Sequence, residues 1–166
     1  EFIETLGFQV QLNNRSALSN HQEIDIFVPK KNFGIEFNGL YWHSELSGRD
    51  KYYHINKLNA ATKNNIRLIQ IWDYEWTNNQ DIVKSRILNI LGKSERIVAT
   101  KNCKIISNVD SKTKFDFLEA NHLQGDCISG VINIGLEYNS QLVSIMTFGK
   151  SNFDKDYEYE LLRFCS

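Results

Sequence analysis

The chain lacks several things, and each absence narrows the reading. No apolar run approaches the roughly 20 residues that a membrane-spanning helix needs, so the sequence offers no transmembrane segment. Cysteine is scarce: Cys103, Cys127 and Cys165 are odd in number and far apart, and no pair has metal-ligand spacing. They read as reduced thiols of a cytoplasmic protein, not as a disulfide framework or a zinc cluster. A signal peptide is not expected, because the chain opens on Glu1 and polar residues soon interrupt it. There are no internal repeats and no low-complexity tracts. Net charge is missing too, with 19 Lys and Arg against 20 Asp and Glu. The balance holds in both parts, ten against ten over residues 1–92 and nine against ten beyond. That counts against a general polyanion binder, but leaves room for a local basic face.

What remains is an ordinary globular composition, 42% hydrophobic and 23% charged over 166 residues, enough for one medium domain or two small ones. Basic residues gather locally: Lys30 with Lys31, then Arg49, Lys51, Lys57 and Lys63, then Lys93, Arg96, Lys101 and Lys104. The opening "EFIETLGF" reads as the last turns of a helix, and "YEYELLRFCS" ends on a strand-like alternation, so a fragment of a longer chain is expected.

Periodicity gives an element order. Residues 1–6 read as a helix end stopped by Gly7, residues 8–12 as a strand and 13–21 as a loop. Residues 22–28 and 33–38 read as strands joined by a "PKKN" turn. A loop with Gly39 and Gly48 follows. Residues 49–64 contain no Gly or Pro and place Ile55, Leu58 and Ala61 near one face, which predicts a helix. "RLIQIW", 67–72, reads as a buried strand, and 79–91 as an amphipathic helix ending at Gly92. The order α-β-β-β-α-β-α predicts an α/β layer fold with helices covering the sheet. The basic segment 93–104 is the expected boundary, giving domains 1–95 and 96–166. In the second, a helix near 110–121 and strands near 128–137, 141–148 and 157–164 predict an incomplete α+β domain.

The stretch "EIDIFVPKKNFGIEFN" raises the chemical question. If its two strands pair across a four-residue loop, Asp25 falls opposite Glu36. Ile24, Ile26 and Val28 then share one face with Ile35 and Phe37, while Glu23, Asp25, Glu36 and Asn38 share the other. Like charges directly opposite on a sheet cost a few tenths to about 1 kcal/mol. A divalent cation would offset that cost, since a hard ion such as Mg²⁺ takes carboxylate oxygens, lowers the pKa of a bound water and stabilises charge on a phosphate. The plainer alternative is a solvated face neutralised by Lys30, Lys31 or Arg67. His43 lies on the loop five residues past Asn38 and suits a general base, or a surface or capping role. Tyr41 and Trp42 suit stacking on or wedging between bases, or core packing. On the following helix His54 and Lys57 share a face, with Asp50 one turn earlier. They suit either a phosphodiester substrate or an ordinary solvated face.

Taken together, "EIDIFVP…FGIEFNGLYWHSE…YHINK…NIRLIQIWDYEW" resembles the very-short-patch repair endonucleases, and still more the phage-borne EDxHD homing endonucleases related to them. Both belong to the PD-(D/E)XK, or restriction-endonuclease-like, superfamily. The resemblance covers about residues 1–92. It implies a Mg²⁺-dependent hydrolase, a site-specific DNA endonuclease of phage or mobile origin acting on double-stranded DNA in the cytoplasm of a bacterial host, with a homodimer left open. By resemblance Asp25 and Glu36 are the metal ligands, with the Phe37 carbonyl as a further one. Asn38 stands in the superfamily's lysine position, His43 matches the catalytic histidine, and Tyr41 and Trp42 match aromatics inserted into the duplex. His54 falls near a helix position that is acidic in the repair enzymes. Asp25, Glu36, Asn38, His43, His54 and Lys57 are thus the candidate catalytic residues. Tyr41, Trp42, Lys30, Lys31, Arg49 and Lys51 are the candidate DNA contacts.

Two departures stand out. The family's helix glutamate would lie upstream of Glu1. Leu40, Ser44 and Glu45 cannot replace the repair enzymes' zinc ligands, so no structural zinc is expected. The alternatives kept open are a DNA repair or mismatch-nicking endonuclease and a catalytically inactive DNA-binding module. Residues 105–166, with "SKTKFDFLEANHLQG", "LVSIMTFGK" and "YELLRFCS", loosely resemble the early part of GNAT-like domains. Acyl transfer is not assigned, and a target-recognition or DNA-positioning role is an equal option. His122 reads as a core or capping residue.

Overall fold

The computed structural model describes residues 1–39, 52–94 and 99–166. The chain is a mixed α/β protein whose described residues form two four-stranded sheets, and it divides into two compact units, Glu1–Lys93 and Ser94–Ser166. Among the described residues no helix is long and apolar enough to cross a membrane.

The first unit runs α1 (Phe2–Thr5), β1 (Gln11–Asn14), β2 (Ile24–Val28), β3 (Phe33–Asn38), α2 (Tyr53–Lys63), β4 (Arg67–Trp72), α3 (Asp73–Asn78) and α4 (Gln80–Leu91). Its sheet has the order β1-β2-β3-β4. The first three strands are antiparallel, and β4 lies parallel to β3, with α2 within the connection between them. The β2–β3 turn is a single 3₁₀ turn at Pro29–Lys31. Pro supplies its fixed φ at the start, and Asn32 closes the turn in the left-handed region at φ 45°. The Asn32 carbonyl then accepts the Arg67 N–H at 2.9 Å, tying the start of β4 to this turn.

Several expectations need correction. The first strand is Gln11–Asn14, later than residues 8–12. An extra helix, α3, follows β4 directly, because the Glu75 carboxylate accepts the Trp72 N–H at 3.0 Å and so caps a segment with no apolar stripe. On α2 the inward residues are Lys57 and Ala61, while Ile55 and Leu58 face outward at 47% and 37% exposure. The α4 stripe Val83, Ile87 and Leu91 is buried, and Gly92 ends the helix at φ 71°, where a side chain would be strained.

The second unit has β5 (Lys104–Ile106), α5 (Ser111–Asn121), β6 (Ile132–Tyr138), β7 (Gln141–Lys150) and β8 (Tyr159–Cys165), in an antiparallel sheet ordered β5-β6-β7-β8. Strand β5 lies in the stretch read from sequence as the basic boundary and the start of the following domain. Asp110 caps α5 by accepting the N–H groups of Lys112 and Thr113. Val109, Leu118 and Ile145 form the core, flanked by Ile106, Phe117, Leu142 and Cys165. Lys114 is buried and reaches both Asp126 and the Cys127 carbonyl at 2.9 Å, which fixes the segment after α5.

Candidate active site

One face of the first sheet changes character along its length. The parallel register sets Gly34 beside Leu68, Glu36 beside Gln70 and Asn38 beside Trp72. Alternation puts these six on one face. At its lower end Leu18, Ile24, Phe27, Ala61, Ile66 and Leu68 form a dry cluster beneath α2. One helical turn before Ala61 the helix presents Lys57, and one step past Gly34 on the same face of β3 comes Glu36. The apolar core thus gives way to a polar cluster towards the carboxyl ends of β3 and β4, the end where open α/β sheets commonly bind ligands.

Glu36 and Lys57 are both almost fully buried, at 6% and 4% exposure. The Lys57 Nζ donates to Glu36 Oε2 in a charge-assisted bond. The other Glu36 oxygen, Oε1, is buried and has no hydrogen-bond partner among the described residues. Burial pushes the Glu36 carboxyl above its ordinary range. Lys57 pulls it back, and the neighbouring Asp25 charge adds to the rise. It is Lys57 that neutralises this acid. Lys30, Lys31 and Arg67 are exposed at the opposite end of β3 and β4.

Asp25 reaches the same place by a different route from the expected one. The β2–β3 pairing runs from Val28↔Phe33 to Ile26↔Ile35, with no paired rung between Asp25 and Glu36. Instead the Asp25 Oδ2 accepts the Phe37 backbone N–H at 2.8 Å, so a carboxylate replaces the next strand contact. The strict alternation expected of this strand fails as well. Ile24 packs with Phe27 and Leu68 in the α2 cluster instead of facing away with Ile26 and Val28. A Cβ on Gly34 would meet Leu68 Cδ1 at 2.8 Å and Ile24 Cγ2 at 3.0 Å, which places Ile24 on the Gly34 face. Phe37 is 44% exposed, so it does not share a buried face with Ile24.

Asn38 is 1% exposed, and its amide donates to Gln70 Oε1 at 3.0 Å. Sequence reading passed over Gln70. The signal was present as the one polar residue that interrupts the apolar run after Arg67 in "RLIQIW", at the position that shares the face of Glu36. His54 lies near Trp72, with ring centroids 5.8 Å apart, and the Lys57 Nζ sits 5.8 Å from the centre of the Tyr53 ring. Asp25, Glu36, Asn38, His54 and Lys57 are therefore all held at one end of β3, β4 and α2.

The expected DNA contacts divide. Lys30 and Lys31 are exposed at the far end of the hairpin, where Lys31 and Lys93 each place Nζ 5.6 Å from the centre of the Phe8 ring. Tyr41, Trp42, His43, Arg49, Asp50 and Lys51 lie outside the described residues.

Among the described residues no three His, Cys, Asp or Glu side chains converge as a metal-ligating group. Two carboxylates are neighbours, since Asp25 binds the N–H of the residue after Glu36 and its charge acts on Glu36. Each commits one oxygen to the protein, Asp25 to the Phe37 N–H and Glu36 to Lys57, and Glu36 Oε1 is left buried without a partner. An orphaned buried carboxylate oxygen beside a second acid fits a hard cation that keeps several waters.

No family model matches the chain, and no match was found among curated proteins or among solved structures.

Proposed function

We propose that the first unit is the catalytic domain of a Mg²⁺-dependent, site-specific DNA endonuclease with a PD-(D/E)XK-type core, homing in character and borne by a phage or mobile element. The observation that carries this reading is the meeting of Asp25, Glu36 and Lys57, two acids and an ammonium, at the carboxyl end of the parallel pair β3–β4. The strand order, with an antiparallel hairpin followed by a helix-linked parallel strand, supports it.

Asp25 and Glu36 would hold the ion. Bound there, Mg²⁺ supplies a lowered water pKa and charge stabilisation at the phosphate. The remaining work falls to the chain itself. Lys57 presents a positive charge to the scissile phosphate, and the half-buried Asn38–Gln70 pair holds β3 and β4 in register at the reacting end. His43, matched by resemblance to a catalytic histidine, would take the proton of the attacking water. His54 lines the same end of α2 and would contact the phosphate.

The test is conversion of supercoiled plasmid carrying the target, in Mg²⁺ and in EDTA, by the wild type, Asp25→Asn and Glu36→Gln. Cleavage by the wild type in Mg²⁺ alone, lowered by roughly 100-fold or more in each variant, is expected. Equal DNA binding by all three proteins with no cutting by any would leave a DNA-binding module whose acids are structural.

A further inference from the structure

We propose that the Lys57 ammonium is a stand-in for the metal. In the metal-free protein it occupies the charge position at Glu36, and it gives up that contact when a divalent cation binds, so that Lys57 sets the metal affinity of the site. The inference rests on the nuclease reading above and deepens it.

Three observations carry it. Lys57 and Glu36 are buried together, and a buried carboxylate stripped of its partner is strongly unfavourable. The bond engages only one Glu36 oxygen, while the other is buried and unsatisfied, so Lys57 answers only part of what the carboxylate can accept. Asp25 accepts the N–H of Phe37, the residue next to Glu36 in β3, yet no cation other than Lys57 pairs with either acid among the described residues.

Charge explains why one ammonium serves and does not suffice. Two carboxylates against one ammonium leave the cluster with a single negative charge. A divalent ion added to it gives a single positive charge, the complement of one phosphodiester. An ion that takes Glu36 Oε1 sits beside the Lys57 ammonium on Oε2, and that like charge lowers its affinity and drives the ammonium from the carboxylate. Once displaced, the flexible lysine stem leaves the ammonium within reach of the phosphate that the ion attracts.

Isothermal titration of the full chain with Mg²⁺ tests this on the wild type, Lys57→Met, Lys57→Arg and Glu36→Gln. Lys57→Met is expected to bind Mg²⁺ about tenfold more tightly than the wild type, because removing a competing like charge outweighs the lost packing. Lys57→Arg, which keeps the charge, should bind no more tightly than the wild type. Glu36→Gln should lose binding. If Lys57→Met binds with unchanged or weaker affinity while Glu36→Gln loses it, the stand-in role is overturned and the metal site survives. If Glu36→Gln binds as the wild type does, or no protein binds, the stand-in role and the nuclease reading fall together. Should Lys57→Met fail to fold, the wild type labelled with ¹³C-lysine carries the test. The Lys57 Cε resonance must shift on Mg²⁺ addition as the Glu36 contact breaks, and an unmoved resonance under saturating Mg²⁺ overturns the proposal.

Discussion

Lys57, on α2, and Glu36, towards the carboxyl end of β3, are 21 residues apart in the chain and joined in a buried ion pair at the polar end of the sheet. Neither side chain is where composition alone would put it, since charged residues are rarely fully buried unless paired. Removing one partner leaves the other charged or orphaned in a buried site. In the absence of divalent metal, Lys57→Met should therefore lower unfolding free energy by about 3–5 kcal/mol. The double variant Lys57→Met with Glu36→Leu should return to the wild-type level or above, as apolar replacement of both members of a buried pair commonly does. Urea denaturation of the three proteins measures both values. A double variant as unstable as the single one would show that the cost lies in packing and not in charge.

Gly34 gives a second prediction, independent of charge. It sits opposite Phe27 and beside Leu68, and a Cβ there would press on the side chains of Leu68 and Ile24. Gly34→Ala should destabilise by about 1–3 kcal/mol through overpacking, read as a lower urea midpoint at unchanged slope. Unchanged stability would mean that Ile24 does not turn towards this face.

The second unit has its own pH response. His122 ends α5, and its Nδ1 accepts the Gln124 N–H at 3.1 Å. Burial, and then the nearby Arg163 charge, hold its pKa below the ordinary histidine value. A base with a depressed folded pKa binds fewer protons folded than unfolded. Its contribution is therefore present above the unfolded pKa of about 6.5 and is lost as pH falls towards and through the lower folded value. The urea midpoint of the wild type should drop on going from pH 7.5 to pH 5 by more than that of His122→Gln. Parallel pH profiles would contradict the assignment.

Much of the fold was legible in the sequence. Strands 33–38 and 67–72 match β3 and β4 because short apolar runs bounded by turn residues have few other solutions. Helix α4 and its glycine stop followed from periodicity in the same way. What escaped was non-local or polar. Of the face expected to pack, Ile55, Leu58 and Ala61, only Ala61 is buried, and Lys57, which the sequence leaves between the acids and a solvated face, is turned inward by Glu36 on β3. The sequence pairs Asp25 with Glu36 across a direct rung, which the register of β2 and β3 does not contain. The real link is a carboxylate on the Phe37 N–H, with Ile24 turned towards α2, and strand alternation cannot encode that. Helix α3 has no apolar stripe to announce it and depends on the contact from Glu75 to the Trp72 backbone.

The most direct measurement is an anomalous difference map from crystals of the full chain grown with Mn²⁺. A peak about 2.0–2.3 Å from a carboxylate oxygen of both Asp25 and Glu36, with the Lys57 Nζ moved away from Glu36, is the expected result. A map without a peak there under saturating Mn²⁺, with Lys57 still paired to Glu36, would make the two acids structural and contradict the assignment of a metal-dependent nuclease.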